Sequence, residues 1–301
     1  MTSKAYHLPV LLKESVDGMS IQPDGTYVDV TFGGGGHSAE ILSRLGEKGR
    51  LFAFDQDQDA QENSIDDPRF TLIPANFRFI KRFLRLEGVK EVDGILGDFG
   101  VSSHQFDKGE RGFSIRFEAE LDMRMDQNTG LSASELVNTY SQEQLAQLIW
   151  QYGEIKMSRK LAKAIVERRS NEPIKSTKDL NDLLTPFFPP TKVNKFLAQV
   201  YQAIRIEVNQ EMEALKEFLL QTSELITKGG RLSLISYHSL EDRLVKRFIR
   251  DGKFSGAPEK DFYGNMLVPF KKTGKMITPG AAELQKNKRS RSAKLRIGEK
   301  L

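Results

Sequence analysis

The segment Thr26-Tyr-Val-Asp-Val-Thr-Phe-Gly-Gly-Gly-Gly-His37 decides how this chain is read. Thr26 to Val30 have the β-branched and aromatic character of a buried strand. Gly33 to Gly36 then let the backbone turn sharply and let a ligand approach the main chain. A helical stretch from about Ser38 to Leu45 follows. Strand, glycine loop and helix in that order form the cofactor-binding corner of a doubly wound sheet, with the ligand at the carboxyl ends of the strands. Outward from this corner, Arg50–Phe54 reads as a second strand ending at Asp55, and Phe70–Ile73 as a third. Asn76 to Leu86 predicts a basic helix with Phe77, Ile80, Phe83 and Leu84 on its apolar side. Its Arg78, Lys81, Arg82 and Arg85 read as a solvated face. Val92–Leu96 is a fourth strand running into Gly97-Asp98. Strands alternating with helices imply an α/β fold with a mainly parallel sheet joined by crossovers.

The pattern changes between about 131 and 228, where helix signals dominate. Ser132 with Glu135 and Ser141 with Gln144 fit the capping box. Leu161, Ala164, Ile165 and Arg168 recur at helical spacing, the turn TPFFPP (185–190) interrupts, and Val193, Phe196, Leu197, Val200, Tyr201 and Ile204 trace an apolar stripe. A Gly229-Gly230 stop precedes a last buried strand, Arg231–Ser236. The expected organisation is a discontinuous domain of residues 1–105 and 206–301, interrupted by a helical insert at 106–205.

Composition narrows the chemistry. Among 301 residues there is no cysteine, so disulfides, thiolate metal sites and thiol nucleophiles are excluded. With four histidines, no metal site is expected. No apolar run is long enough for a membrane helix, and the N-terminus lacks a secretory pattern, so a cytoplasmic protein is expected. The net charge of +4 hides an asymmetry: residues 231–301 hold 17 Lys/Arg against 7 Asp/Glu, and residues 1–230 hold 28 against 34. A basic C-terminal quarter points to a polyanionic partner.

The acids sharpen the cofactor. Asp55 lies 22 residues past Gly33, where a carboxylate can accept both ribose hydroxyls. Asp29, Asp55, Asp57 and Asp98 would all lie near the carboxyl edge of the sheet. Carboxylates repel a pyrophosphate but suit a sulfonium, an α-amino group and a ribose. That favours S-adenosyl-L-methionine over a dinucleotide, although Gly34 to Ala39 satisfies a dinucleotide variant. Without a thiol, methylation of pyrimidine carbon 5 is closed. An exocyclic amine or a hydroxyl remains as acceptor. A ring-conjugated amine must be held in line and lose its hydrogens to an acceptor. Asp98 and neighbouring backbone carbonyls at the end of the fourth strand are the natural candidates, although Asp98-Phe99-Gly100-Val101 does not match the usual Asp/Asn/Ser-Pro-Pro-aromatic signature.

The blocks HLPVLL (7–12), TFGGGGH (31–37), FDQD (54–57), GDFGVSSHQFD (97–107), ERGFS (110–114), LDMRMD (121–126), QAIRIEVNQE (202–211), GGRLSLISYHSLEDRLVK (229–246) and RSRSAKLRI (289–297) resemble the RsmH (MraW) family. They run in order along nearly the whole chain. The resemblance implies a class I, Rossmann-like methyltransferase with a helical insert for substrate recognition. It implies transfer to the N4 amine of a cytosine in 16S rRNA near the decoding site, with the small ribosomal subunit as partner; a homodimer is compatible with it. The candidate cofactor-binding residues are Gly33, Gly35, Gly36, His37, Asp55, Phe77, Asp98 and Gln105. Asp98 and His238 are the catalytic candidates. Phe99 and Phe106 stand where the family more often has aliphatics.

Some residues keep two readings. His37 either points at the cofactor or caps the following helix. His238 is either catalytic or a structural hydrogen-bonding residue, and Ser239 with Glu241-Asp242 reads as a helix start. Arg111, Phe113 and Arg124 either grip RNA or form internal contacts, with RNA favoured. Lys288, Arg289 and Arg291, in a stretch with 6 Lys/Arg among residues 286–296, read as phosphate contacts. Leu295 and Ile297 alternate there with basic residues, which suggests an edge strand.

Overall fold

The structure, a computed structural model, describes residues 9–101, 109–128 and 130–301. Seven strands form one sheet in the order β3-β2-β1-β4-β5-β7-β6. They are β1 (Thr26–Asp29), β2 (Arg50–Phe54), β3 (Phe70–Ile73), β4 (Val92–Asp98), β5 (Ile226–Ser236), β6 (Phe270–Ile277) and β7 (Lys294–Lys300). Strands β1 to β5 are parallel, and β7 runs antiparallel to both β5 and β6. The first four strands fall where the residue pattern puts them, with β4 extended through Asp98.

The chain moves outward from β1 through β2 to β3, then returns to the other side of β1 with β4: Val28 pairs with Phe52 on one side and Ile95 on the other. The direction of winding therefore reverses between β1 and β4. At such a switch point the two crossovers diverge and leave a crevice beyond the carboxyl ends.

Alternation along the strands builds two apolar layers, because successive side chains leave a strand on opposite faces. Val28, Phe52, Phe54, Ile95 and Leu234 pack with Ile80, Leu84, Phe218 and Phe248 on one face. Tyr27, Leu51 and Leu96 pack with Val16, Met19, Ile41 and Leu42 on the other. A parallel sheet needs both faces covered. Helices α1 (Leu12–Asp17) and α2 (Gly36–Arg44) supply the second face. Helix α3 (Gln58–Gln61) is one turn after β2; α4 (Ile80–Leu86), preceded by a 3₁₀ turn at Phe77–Phe79, covers the first face with helices Glu211–Leu225 and Ser239–Asp251. The basic side of α4 is partly an ion-paired seam: Arg78 bonds Glu217 at 2.7 Å and Lys81 pairs with Glu224.

Two expectations need correction. The final basic strand is interior: β7 pairs with β5 through Leu295↔Ile235 and with β6 through Ile277↔Leu295, and Leu295 is fully buried. The true edge is β6, whose KKTGK sequence has no apolar alternation to announce it. Secondly, β5 begins at Ile226, before the two glycines. The register shifts between Val92↔Ile226 and Gly94↔Arg231, so the glycines lie in a bulge within the strand.

The chain divides into two compact units, residues 1–100 with 212–301, and residues 101–211. The second unit carries helices Ala133–Thr139, Gln142–Gln151, Ser158–Asn171, Thr177–Leu184 and Val193–Val208. Its interior holds Leu136, Leu145, Ile149, Leu161, Ile165, Leu180, Val200 and Ile204. Both expected capping boxes form, at Ser132/Glu135 and Ser141/Gln144. A third, Ser176/Asp179, uses Asp at the third helical position and so escapes the Glu/Gln pattern.

Candidate active site

The glycine loop is held open by backbone geometry and by a neighbouring carboxylate. Gly35 sits at φ +76° as the residue before α2 and offers no side-chain cap. Only glycine takes that left-handed conformation without strain, so the first amides of α2 are not covered by a side chain from Gly35. The Gly33 amide donates to Asp55 Oδ2 at 2.8 Å, and the Asp57 amide donates to Asp55 Oδ1, also at 2.8 Å. Asp55 therefore joins the loop after β1 to the end of β2. Each of its oxygens has accepted one hydrogen bond and keeps a second acceptor direction. Burial pushes its carboxyl up to about 6, against the opposing pull of the Asp57 and Gly33 amides.

Of the four acids expected at the sheet edge, two are committed to local structure. Asp29 is fully buried: Ser38 Oγ donates to Oδ2 at 2.7 Å and the Thr31 amide to Oδ1 at 3.1 Å. It bolts β1 to α2, and burial pushes its carboxyl upward. Asp57 is buried and caps α3, accepting from the Asp59 amide at 3.1 Å. Asp55 and Asp98 remain as half-buried acids with acceptor capacity.

Asp98 ends β4 across the switch point. Its amide donates to Thr31 Oγ1 at 2.6 Å, which fixes its backbone to the loop after β1. The Tyr237 hydroxyl interacts with its carboxylate and favours the charged form. Its Oδ1 is buried with no hydrogen-bond partner among the described residues. An orphaned carboxylate oxygen is costly unless a ligand satisfies it. Burial pushes the Asp98 carboxyl up to about 6, moderated by nearby His37 and by the Tyr237 hydrogen bond.

The sequence reading does not single out Tyr237, and it takes Glu241 only as part of the helix start that the structure shows. The Tyr237 amide donates to Glu241 Oε2 at 2.9 Å, and a Cβ placed on Gly100 would lie 3.3 Å from the Tyr237 ring. Burial drives its phenol upward, so the hydroxyl stays a donor. Replacing Tyr237 by Phe should therefore raise the Asp98 pKa above about 6, since the anion loses a donor. A titration of Asp98 by NMR checks this, and an unmoved midpoint refutes the contact.

His37 is buried and its Nε2 lies 3.1 Å from the Val10 carbonyl, so Nε2 carries the proton and donates. It does not cap α2. His238 caps helix Ser239–Asp251: its Nδ1 accepts from the Glu241 amide at 3.4 Å, and Glu241 Oε2 accepts from the His238 amide at 3.3 Å. The residue pattern missed this box because His is not among the usual capping side chains. Phe77 is half-buried, with Phe218 edge-on at 5.4 Å and Phe99 tilted at 5.7 Å. Gln105 and Phe106 lie outside the described residues.

The expected RNA contacts divide. Arg111 and Phe113 are buried, and Arg111 donates to the carbonyls of Arg124 and Met125 at 2.8 and 3.1 Å. Arg124 bonds Asp122 at 2.6 Å. Arg111 and Phe113 are thus turned into the protein, contrary to the expected RNA contact, while Arg124 is half-buried and ion-paired. The guanidinium of Arg111 is 5.5 Å from the Phe113 ring, so the aromatic-basic juxtaposition that suggested base stacking is satisfied within the protein. Lys288, Arg289 and Arg291 are exposed on the 3₁₀ segment Lys288–Ser292. Lys294 and Arg296, from the same basic stretch, are instead drawn to Asp242 at 3.3 and 2.7 Å.

Residues 4–301 match the model of the MraW methylase family. The chain belongs to that family. A curated relative named ribosomal RNA small subunit methyltransferase H, from Christiangramia forsetii, is 66% identical over 296 residues, 98% of each chain. One of the same name from Flavobacterium johnsoniae is 62% identical over 300 residues, covering 100% of this chain and 99% of the relative. A solved rRNA methylase from Streptococcus thermophilus aligns at TM-score 0.45 and 11% identity, over 98% of this chain and 99% of that one. As a methylase of this family, the protein uses S-adenosyl-L-methionine. The site fits that cofactor. A Cβ on Gly33 would meet nothing within 4 Å, Asp55 retains acceptor directions, and Asp98 Oδ1 is unsatisfied. No helix among the described residues is long and apolar enough to cross a membrane.

Proposed function

We propose that this methylase modifies the N4 amine of a cytosine in 16S rRNA, near the decoding site, as a cytoplasmic enzyme acting on the small ribosomal subunit. The observation that carries the reading is the pairing of two unlike carboxylates across the switch point. Asp55 is anchored by two amides, and Asp98 lies beside the Tyr237 hydroxyl with its Oδ1 unsatisfied. S-adenosyl-L-methionine supplies a methyl group activated by its sulfonium. Asp55 accepts the ribose hydroxyls, and the Gly33–Gly36 loop, its Gly33 and Gly35 amides already donated to Asp55 and the Phe32 carbonyl, lets the methionine portion approach the main chain, with the Gly36 amide as donor. Phe77 offers its free face to the adenine. Asp98 Oδ1 accepts a hydrogen of the cytosine amine as positive charge develops on nitrogen. Thr31 fixes the Asp98 backbone, and the Tyr237 hydroxyl lies beside the carboxylate. His238 serves the site by capping the helix that follows Tyr237. Gln105 is retained as a cofactor contact on the family resemblance alone.

The absence of cysteine supports an amine over a ring carbon. The target base must leave its stack to reach a carboxylate at a sheet edge. Residues 106–205 act as the substrate-recognition insert. Purified protein with labelled cofactor should modify small subunits or their rRNA, and mass spectrometry of the nucleosides should find the label on N4 of cytidine. Label on a ring carbon, or on DNA alone, overturns the proposal.

Lys288, Arg289 and Arg291 are assigned to phosphate contact. Changing all three to Ala should weaken rRNA binding and reduce the slope of log K against log salt by about 2 to 3, because each phosphate contact releases about one counterion. Binding isotherms at several salt concentrations check this. An unchanged slope removes the three residues from the interface.

A further inference from the structure

The connection between helix Ser239–Asp251 and β6 ends in a built hairpin with no role in the site. Its two sides meet at the antiparallel bridge Lys260↔Met266. The tip is pinned by Asp261, whose Oδ1 accepts from the amides of Tyr263 and Asn265 at 2.9 and 2.8 Å and whose Oδ2 accepts from Asn265 Nδ2 at 2.9 Å. On this tip Phe262 is 97% exposed and Tyr263 86% exposed, with their rings edge to face at 5.6 Å. Turn formation accounts for Asp261, Gly264 and Asn265. It does not account for two large rings held in water. Adjacent aromatic rings left in water on a fixed support mark a contact surface.

The charge around them selects the partner. At the hairpin the exposed Lys260 is flanked by Glu259 and Asp261, Glu259 being paired with Lys253, and the positive charge is carried by the exposed Lys272 and Lys275 along the edge strand β6. The start of β6 pairs Phe270 with Lys300, at the level where β5 pairs Arg231 with Glu299, so the hairpin leaves from the amino edge of the sheet. The end of β6 pairs Ile277 with Leu295, level with Ile235, at the carboxyl edge. The lysines of β6 therefore lie along the sheet between hairpin and site edge, a rise of about 17 Å over the five β7 steps from Lys300 to Leu295. A polyanion with free π-faces matches both features: single-stranded nucleotides stack on aromatic rings while their phosphates follow basic side chains.

We propose that Phe262 and Tyr263 form a stacking finger for unpaired bases of the substrate RNA, remote from the methylated nucleotide. This rests on the reading of the protein as an rRNA methylase. The finger acts on affinity for large RNA and leaves the chemical step untouched, because it stands at the opposite edge of the sheet from Asp98.

The test compares binding and turnover in Phe262→Ala/Tyr263→Ala, Phe262→Leu/Tyr263→Leu and Phe262→Trp/Tyr263→Trp. The probes are full-length small-subunit rRNA and a short stem-loop carrying the target cytosine. The rings are exposed, so all three proteins should fold as the parent does. Stacking is worth roughly 1–3 kcal/mol per base, so the Ala pair should bind the long RNA about tenfold more weakly or worse. The Leu pair keeps apolar area but loses the π-face and should fall as far, whereas the Trp pair should retain affinity. Methylation of the short stem-loop should be the same in all. Parental affinity in the Ala pair overturns the finger. So does parental affinity in the Leu pair, which would indicate an apolar protein contact, or conversion of a dimer to a monomer with RNA affinity intact. Failure of the parent protein to methylate either RNA tells against the proposed reaction, whereas the binding comparison reads the finger by itself.

Discussion

Asp98→Asn is expected to lower kcat by about 10²- to 10⁴-fold, the range for loss of a positioned proton acceptor. The amide can still accept a weak hydrogen bond at the buried Oδ1 position. It cannot offset the positive charge that grows on the amine, and that difference belongs to the transition state alone. Single-turnover methylation with saturating cofactor and rRNA reads it directly. A variant that turns over within tenfold of the parent would remove Asp98 from the chemistry and leave it a structural end to β4. The parent should also lose activity as pH falls through about 6, because the Asp98 carboxyl is held up there by burial and its proton must be off to accept another. That acid limb should move to higher pH in Tyr237→Phe.

Asp55→Ala should weaken S-adenosyl-L-methionine binding by about two orders of magnitude, since hydrogen bonds to a charged acceptor contribute roughly 1.5–3 kcal/mol. It removes the ribose acceptor and also frees the Gly33 and Asp57 amides that the carboxylate holds. Asp55→Asn separates the effects: it keeps one acceptor for the loop and should lose less affinity. Calorimetric titration measures both, and a parental dissociation constant in the Ala variant would place the ribose elsewhere.

The two carboxyls also tie binding to stability. Each is about 6 in the folded protein, against about 3.9 for a free aspartate. Their folded pKa values are raised, so the stability they contribute is fully present below about 4 and is lost as pH rises through about 6. At pH 7.5 the folded, ligand-free protein holds both charges in a poorly solvated crevice. A cationic donor binds those charges, so its thermal stabilisation should be larger at pH 7.5 than at pH 5. Equal shifts at the two pH values would mean that the acids do not face the ligand.

Local pattern and long-range register divide the account between them. The glycine loop, the first four strands and two capping boxes were legible because each depends on residues a few positions apart. Strand periodicity and cap spacing are nearest-neighbour properties, and the backbone obeys them before any tertiary contact forms. The location of Asp55 at the end of β2 followed for the same reason. What a charged side chain does with its charge did not follow. Asp29, Asp55, Asp57 and Asp98 look alike in sequence, yet Ser38 and the α3 amide claim two of them and leave two with capacity to spare. Tyr237 reaches Asp98 because β4 and β5 pair with Asp98 opposite Ile235, two residues before the tyrosine. Arg111 and Phe113 looked like an RNA contact until the fold closed them on each other, and β7 looked like an edge until β6 paired outside it. Each of these outcomes turns on which distant group arrives first at a polar atom or an open backbone edge, and only the assembled sheet decides that.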